Sequence, residues 1–342
     1  MLLKILRSAT LRLLVSALTF AGCNGATDHS SLASTAPQSQ AQRPIHPAPT
    51  FDADRAWADL VQIVSFGPRP AGTPAMDQQR AFLEAELKKL ALEPVLEPFT
   101  NAVPVTPTTP EGKLNFTNLY ADLEPSGSDE TTPLVIVASH IDTKRLGPNF
   151  VGANDGGSST AAVLEIARAL SSGPERAVGY RFLFLDGEEA VRFDWIHPDH
   201  TYGSRYHATE ASKRPISRRM AAFVLLDLVG DRDLVLTKDQ YSTKWLQDLF
   251  VKAGTQAGHG DLFWHPRSIP IKDDHLRFKE ELGIPVIDLI DFDYGPNNRY
   301  WHSDDDTLEH CSAASLRKIG EVTLAGLVAL ERKLISEDAK GR

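Results

Sequence analysis

The chain is poor in cysteine: Cys23 and Cys311 are the only two in 342 residues. With so few, the fold cannot rest on a disulfide framework. Net positive charge is missing as well. The formal charge is −9, and removing residues 1–22, which carry Lys4, Arg7 and Arg12 but no acid, takes it to −12. Nucleic-acid binding needs a positive surface, so that function class is set aside. A phosphate-cradling glycine loop ending in Gly-Lys-Ser is absent. So is a serine flanked by glycines at a strand-to-helix turn: Gly157-Ser158-Ser159 has the wrong spacing, which argues against a serine hydrolase.

Long apolar runs are absent near the start too. The stretch Leu13-Leu14-Val15-Ser16-Ala17-Leu18-Thr19-Phe20 is too short to span a bilayer and follows basic residues, which is the pattern of an export signal. It ends in Ala21-Gly22-Cys23. That ending resembles a bacterial lipoprotein signal, with Cys23 as the lipidated first residue of the mature chain. The expected location is the periplasm or an outer-membrane anchor, since Asn24 does not resemble an inner-membrane retention signal. A plain secretory signal is the alternative. A lipidated Cys23 would leave Cys311 no internal partner. The only expected contact with a membrane is through that anchor.

What the chain does contain is ordinary globular material, 42% hydrophobic and 24% charged, enough for one sizeable core. Residues 23–50, rich in Ser, Ala, Thr, Gln and Pro, read as a flexible tether, and residues 51–342 as one domain. Helical patterns at 56–64 and 76–90 flank the turn Gly67-Pro68-Arg69-Pro70-Ala71-Gly72-Thr73-Pro74. Apolar strands at 134–138, 180–185, 223–229 and 284–290 then alternate with helices at 160–170, 203–211, 245–257 and 312–334. Leu134-Val135-Ile136-Val137-Ala138 is a continuous run, the mark of a strand buried on both faces. Two earlier strands, near 94–99 and 114–121, are expected to pair at one edge. This order predicts a single α/β domain whose central sheet is mixed but mostly parallel, with helices on both faces. Ligands in such sheets sit outside the carboxyl ends of the strands.

The chemistry-bearing residues fall at those ends. His140 closes the first buried strand with Asp142 two residues on, an arrangement that fixes an imidazole tautomer for metal binding. Asp155 lies in the glycine-bounded loop Gly152-Ala153-Asn154-Asp155-Gly156-Gly157, and Glu188-Glu189 follow the strand and turn Arg181-Phe182-Leu183-Phe184-Leu185-Asp186-Gly187. Asp227 sits inside the apolar run Leu225-Leu226-Asp227-Leu228-Val229, where it needs a partner. Lys272-Asp273-Asp274-His275 precedes the next strand, Asp288, Asp291 and Asp293 are read as facing outward, and Trp301-His302 leads into Asp304-Asp305-Asp306. Singly, each residue fits a bland role such as a solvated strand end, a helix N-cap or a hydrogen-bonded structural histidine. Jointly, His140, Asp155, Glu189, Asp227 and His302 form a nitrogen-and-oxygen ligand set suited to Zn²⁺ with an open position. A Glu pair beside such an ion can divide the work, one binding metal and the other moving protons.

His140-x-Asp142, Gly152-Ala153-Asn154-Asp155, Asp186-Gly187-Glu188-Glu189-Ala190 and Trp301-His302, in that order, resemble the zinc aminopeptidase superfamily, as does the Gly67–Thr73 segment. Within it, Phe184 through Ala190, Trp195, Tyr202-Gly203-Ser204-Arg205, Leu225 through Gly230 and Asp273-Asp274-His275 are similar to glutaminyl-peptide cyclotransferases of the animal type. The resemblance implies conversion of N-terminal glutamine in peptides or proteins to pyroglutamate with release of ammonia. It implies one zinc held by Asp155, Glu189 and His302, Glu188 as general acid/base, and Asp227 and Asp273 as a relay behind it. Trp195 and Trp301 are expected to wall the substrate pocket. The alternative within the superfamily is a two-zinc aminopeptidase removing N-terminal residues, with His140 and Asp227 holding a second zinc. Three departures keep that alternative open: the extra residue between the Glu pair and Trp195, the aminopeptidase-like Asn154-Asp155-Gly156-Gly157, and Asn297 where the cyclases have an aromatic. A catalytically inactive binding protein is the third reading, and it is weakened by the presence of every ligand and of Glu188.

Overall fold

The computed structural model describes residues 46–341. The expected export signal, Cys23 and the tether up to residue 45 lie outside the described residues. Helix α1 (Ala53–Ser65) starts at Asp52, whose carboxylate accepts the Arg55 N–H at 3.0 Å. Helix α2 (Pro74–Lys89) starts at Thr73, whose hydroxyl oxygen accepts the Met76 N–H at 3.3 Å, and Pro74 occupies a first-turn position that needs no donor. The proline- and glycine-rich segment between them therefore ends one helix and begins the next.

The chain continues through β1 (Val95–Ala102), β2 (Lys113–Leu123), β3 (Leu134–His140), α3 (Ser159–Ser172), β4 (Gly179–Leu185), α4 (Tyr202–Ser212) and β5 (Met220–Asp227). It finishes with β6 (Leu236–Asp239), α5 (Lys244–Gln256), β7 (Phe263–Ile269), α6 (His275–Leu282), β8 (Val286–Ile290) and α7 (Ala313–Gly341). Six strands form the main sheet in the order β1-β2-β4-β3-β5-β8. β4, β3, β5 and β8 run parallel, while β2 is antiparallel to both β1 and β4. The expected mixed sheet with an antiparallel edge is what forms, and Pro98 is tolerated because β1 is the edge strand.

Every residue of β3, β4 and β8 is buried. Alternate side chains serve two cores. Val135, Val137, Phe182 and Phe184 pack with α1, α2, α3, α5 and α7, whereas Ile136, Ala138, Leu183 and Leu185 pack with α4 and α6. Each such large side chain contributes roughly 1.5–3 kcal/mol on burial, so the continuous apolar runs follow from having helices on both faces. Among the described residues no helix is long and apolar enough to cross a membrane.

Three features differ from expectation. β6 and β7 pair in parallel as a separate two-stranded sheet that the hydrophobic pattern does not announce. Asp273-Asp274-His275 leads into the short helix α6, with β8 only after it. Asp288 and Asp291 are buried rather than outward-facing, because β8 is covered on both sides and its end is roofed by the segment before β6.

For the site, the strand order matters most. The chain goes from β3 to its neighbour β4 on one side and then to β5 on the other, so the carboxyl ends of these three strands open onto a topological switch point.

Candidate active site

At the tip of β4 the backbone turns through Gly187, whose φ is +78°. A Cβ there would lie 2.4 Å from the Phe116 ring, so only glycine fits this close approach. The turn lifts Glu188 and Glu189 out of the sheet. Their backbone N–H groups donate to Asp142, Glu188 to Oδ1 at 3.0 Å and Glu189 to Oδ2 at 3.2 Å. Asp142 thus anchors both glutamates. The sequence reading gave it only the orientation of His140, from which its Oδ1 stands 3.7 Å.

Asp155 is delivered by an irregular turn, 153–158, in which Gly156 has φ +82°. Two distant groups hold that turn. Asp306 accepts the N–H groups of Asn154 at 2.7 Å and Asp155 at 3.1 Å, and buried Arg69 donates to the carbonyls of Val151 at 2.7 Å and Gly152 at 3.0 Å. Asp304 and Asp305 are exposed, so the triple Asp is only partly a solvated run.

Asp155, Glu189 and His302 converge. His302 Nε2 lies 3.0 Å from Glu189 Oε1 and 3.3 Å from Asp155 Oδ2, an oxygen that is buried with no hydrogen-bond partner. Two carboxylate oxygens and one imidazole nitrogen aimed at one point are the donor set of a zinc site with a free position, so these residues fit such an ion. His302 is held at φ +51°, a conformation that costs about 1 kcal/mol and marks a constrained position. Burial lowers the His302 pKa, but Glu189 and Asp155 outweigh it and push it up to about 9. Loading a cation would therefore displace a proton from this ring. Burial raises the Asp155 pKa, yet the adjacent His140 and His302 rings overcome that and hold it below the usual range.

A second triple shares Asp155: His140 Nε2 is 3.0 Å from Asp227 Oδ1 and 3.3 Å from Asp155 Oδ1. Asp155 thus offers a different oxygen to each group.

Glu188 is buried, with Oε2 3.8 Å from His140 Nδ1. Burial raises its pKa well above the ordinary value; His140 works against this, and the charges of Asp273, Glu189 and Asp274 add to it. Asp227 is raised by burial against the pull of His140, and Asp273 is raised far by burial and by Asp227 and Asp274. Asp273 in turn belongs to a buried group with His275 and Asp288, and Asp288 is itself raised by burial and by Asp273. Acids crowded away from water hold their protons more tightly than free ones, so each of these carboxyls is biased toward its protonated form.

The two tryptophans are half-buried, as pocket walls would be. Trp301 stacks on His302 with ring centroids 3.9 Å apart, and Phe292 meets its edge at 5.2 Å. Trp195 stacks on His200 at 4.7 Å and donates its indole N–H to the Lys272 carbonyl at 3.0 Å, next to Asp273. Lys144, not singled out by the sequence reading, reaches Glu189 Oε2 at 3.1 Å. Its signal was its place two residues past Asp142 in a segment otherwise buried.

Comparison with known proteins matches residues 118–327 to the model of peptidase family M28. The glutaminyl-peptide cyclotransferase-like protein of Mus musculus is 31% identical over 311 residues, which span 82% of this chain and 77% of that one. The crystal structure of an Acidobacteriales bacterium glutaminyl cyclase superposes with a TM-score of 0.76 at 31% identity, covering 86% of this chain and 99% of that chain. A Zn-dependent exopeptidase from Parabacteroides distasonis is also similar, with a TM-score of 0.70 at 25% identity over 81% of this chain and 98% of that chain.

Proposed function

The chain belongs to peptidase family M28 and, within it, to the glutaminyl-peptide cyclotransferases, and from that premise we propose that it converts N-terminal glutamine of peptides to pyroglutamate with release of ammonia. The observation that carries the reading is the pairing of one three-ligand group, Asp155, Glu189 and His302, with a buried and easily protonated Glu188 backed by Asp227 and Asp273. In this proposal the three ligands hold one zinc. The chemistry such an ion supplies is Lewis acidity toward the glutamine side-chain amide carbonyl.

The remaining work falls to the protein. Glu188 takes a proton from the substrate's α-amine as its nitrogen bonds to the side-chain carbonyl carbon and closes the five-membered lactam. The same carboxyl then gives a proton to the departing nitrogen as its bond to that carbon breaks, and ammonia leaves. The raised pKa suits both halves, because a carboxyl that holds its proton more tightly is the better base and can still return it. Asp273 and Asp227 keep a proton within reach of Glu188. Trp195 and Trp301 wall the pocket and hold the substrate folded for intramolecular attack. The same proposal reads the enzyme as exported, on the N-terminal signal pattern alone.

The His140, Asp155 and Asp227 triple favours a second reading, a two-zinc aminopeptidase. A single assay separates them: zinc-loaded protein is given a Gln-initiated and a Leu-initiated peptide, products are weighed, and bound zinc is counted. Loss of the mass of ammonia from the Gln peptide alone, with one zinc per chain, is expected. Release of free leucine would transfer the site to the peptidase reading, and inertness toward both peptides would reduce it to a binding site.

A further inference from the structure

Lys144 lies just beyond β3, past His140 and Asp142, and is only 2% exposed. A buried ammonium requires an anionic partner. Among the described residues its ion pair is with Glu189, Nζ to Oε2 at 3.1 Å, and a second hydrogen bond goes to the Ala190 carbonyl at 3.3 Å. The Trp195 ring stands 5.5 Å from the same Nζ. The other oxygen of Glu189, Oε1, points the opposite way, toward His302 Nε2 at 3.0 Å. The two oxygens of one carboxylate are thus already divided between a fixed cation and the ligand cluster.

We infer that Lys144 is a positioning residue for the metal centre: it engages Glu189 Oε2, so that Glu189 binds the ion through Oε1 alone and is in place before the ion arrives. The inference rests on reading Asp155, Glu189 and His302 as the ligands. Three physical consequences follow. Asp155 and Glu189 repel each other across a buried site, and the Lys144 ammonium relieves that repulsion. A glutamate side chain loses rotamer freedom when ordered, and Lys144 orders it beforehand while Asp142 fixes the backbone beneath it. A carboxylate bound through both oxygens would fill two coordination positions, whereas one bound through Oε1 leaves room for the substrate carbonyl. Lys144 therefore sets metal affinity and keeps the free position open without itself touching metal or substrate.

The test measures zinc affinity by chelator competition in the full folded chain, with no substrate present. Lys144→Met, which keeps the length and removes the charge, is expected to weaken zinc binding about ten- to hundredfold, and Lys144→Arg to stay within about threefold of the parent. Should the Met variant fail to fold, Lys144→Gln, which keeps one donor and drops the charge, is expected to weaken binding by about three- to tenfold. A charge-removing variant that binds zinc as tightly as the parent overturns the inference, and so does an Arg variant that loses as much as Met. Glu189→Gln separates the two levels: if that variant keeps zinc at full affinity, the ligand assignment itself has failed, whatever Lys144 does.

Discussion

Glu188 and Glu189 carry the same carboxyl group, so any difference in what they do has to come from their surroundings. Glu189 faces His302 with one oxygen and Lys144 with the other. Glu188 faces Asp273 and Asp274 as well as His140, and its proton is held tightly. In the proposed mechanism, replacing Glu188 with Gln removes the proton carrier and leaves Asp155, Glu189 and His302 in place. Turnover is expected to fall by about a hundredfold or more, with zinc content unchanged by elemental analysis of the dialysed protein. Persistence of turnover would mean that another group moves the proton. At this scale the sequence was legible wherever a polar residue interrupts or ends an apolar run, which singles out His140, the Glu pair and Asp227; Asp155 stood out by its glycine-bounded loop and His302 by the tryptophan beside it. It was opaque wherever the partner is distant in the chain. Asp306 reaches Asn154 across 152 positions and Arg69 reaches Val151 across 82, and no local pattern encodes either contact. The burial of Asp288 was missed for a related reason: an aspartate in a strand usually signals a wet face, and cover from distant segments, α6 with its preceding turn and Ser242 among them, makes this one dry.

The elements themselves were mostly readable, because long apolar periods decide them. The four parallel strands and most of the longer helices were found within a few residues, α7 running seven residues past its expected end, and their order gives the sheet. β6 has only four residues, and β7 carries Pro266 and Arg267, so neither shows an alternating pattern and their pairing comes from tertiary contact. α6, at eight residues, is too short for helical periodicity to stand out. The turn after β4 makes a sharper demand. Gly187→Ala would force a Cβ into the Phe116 ring at a φ that alanine adopts poorly. The expected loss is about 2–4 kcal/mol of stability, seen as a lower thermal midpoint, with weaker zinc retention because the displaced turn carries Glu189. An alanine variant that melts and binds zinc like the parent would show that the turn can relax.

As a whole the molecule stores acid in its interior. Asp186, Asp274 and Asp291 are each pushed up to about 7, chiefly by burial, against an ordinary value near 4. Between those values the folded chain binds protons that the unfolded chain has already lost. The stability these groups contribute is fully present below about pH 4 and is lost as pH rises through about 7. The zinc-free protein is therefore expected to melt about 5 °C or more lower at about pH 8.5 than at about pH 5.5, with a smaller drop in Asp291→Asn, as followed by calorimetry in chelating buffer. A midpoint that holds steady or rises over that window would mean these carboxyls are ionised in the native state. Asp142 ties the two scales together. One carboxylate spans the backbone N–H groups of both glutamates, so the proposed metal ligand and the proposed proton carrier share a single mechanical splint. Loss of this aspartate would therefore unseat both glutamates together, whereas a change at Glu188 leaves the anchorage of Glu189 intact.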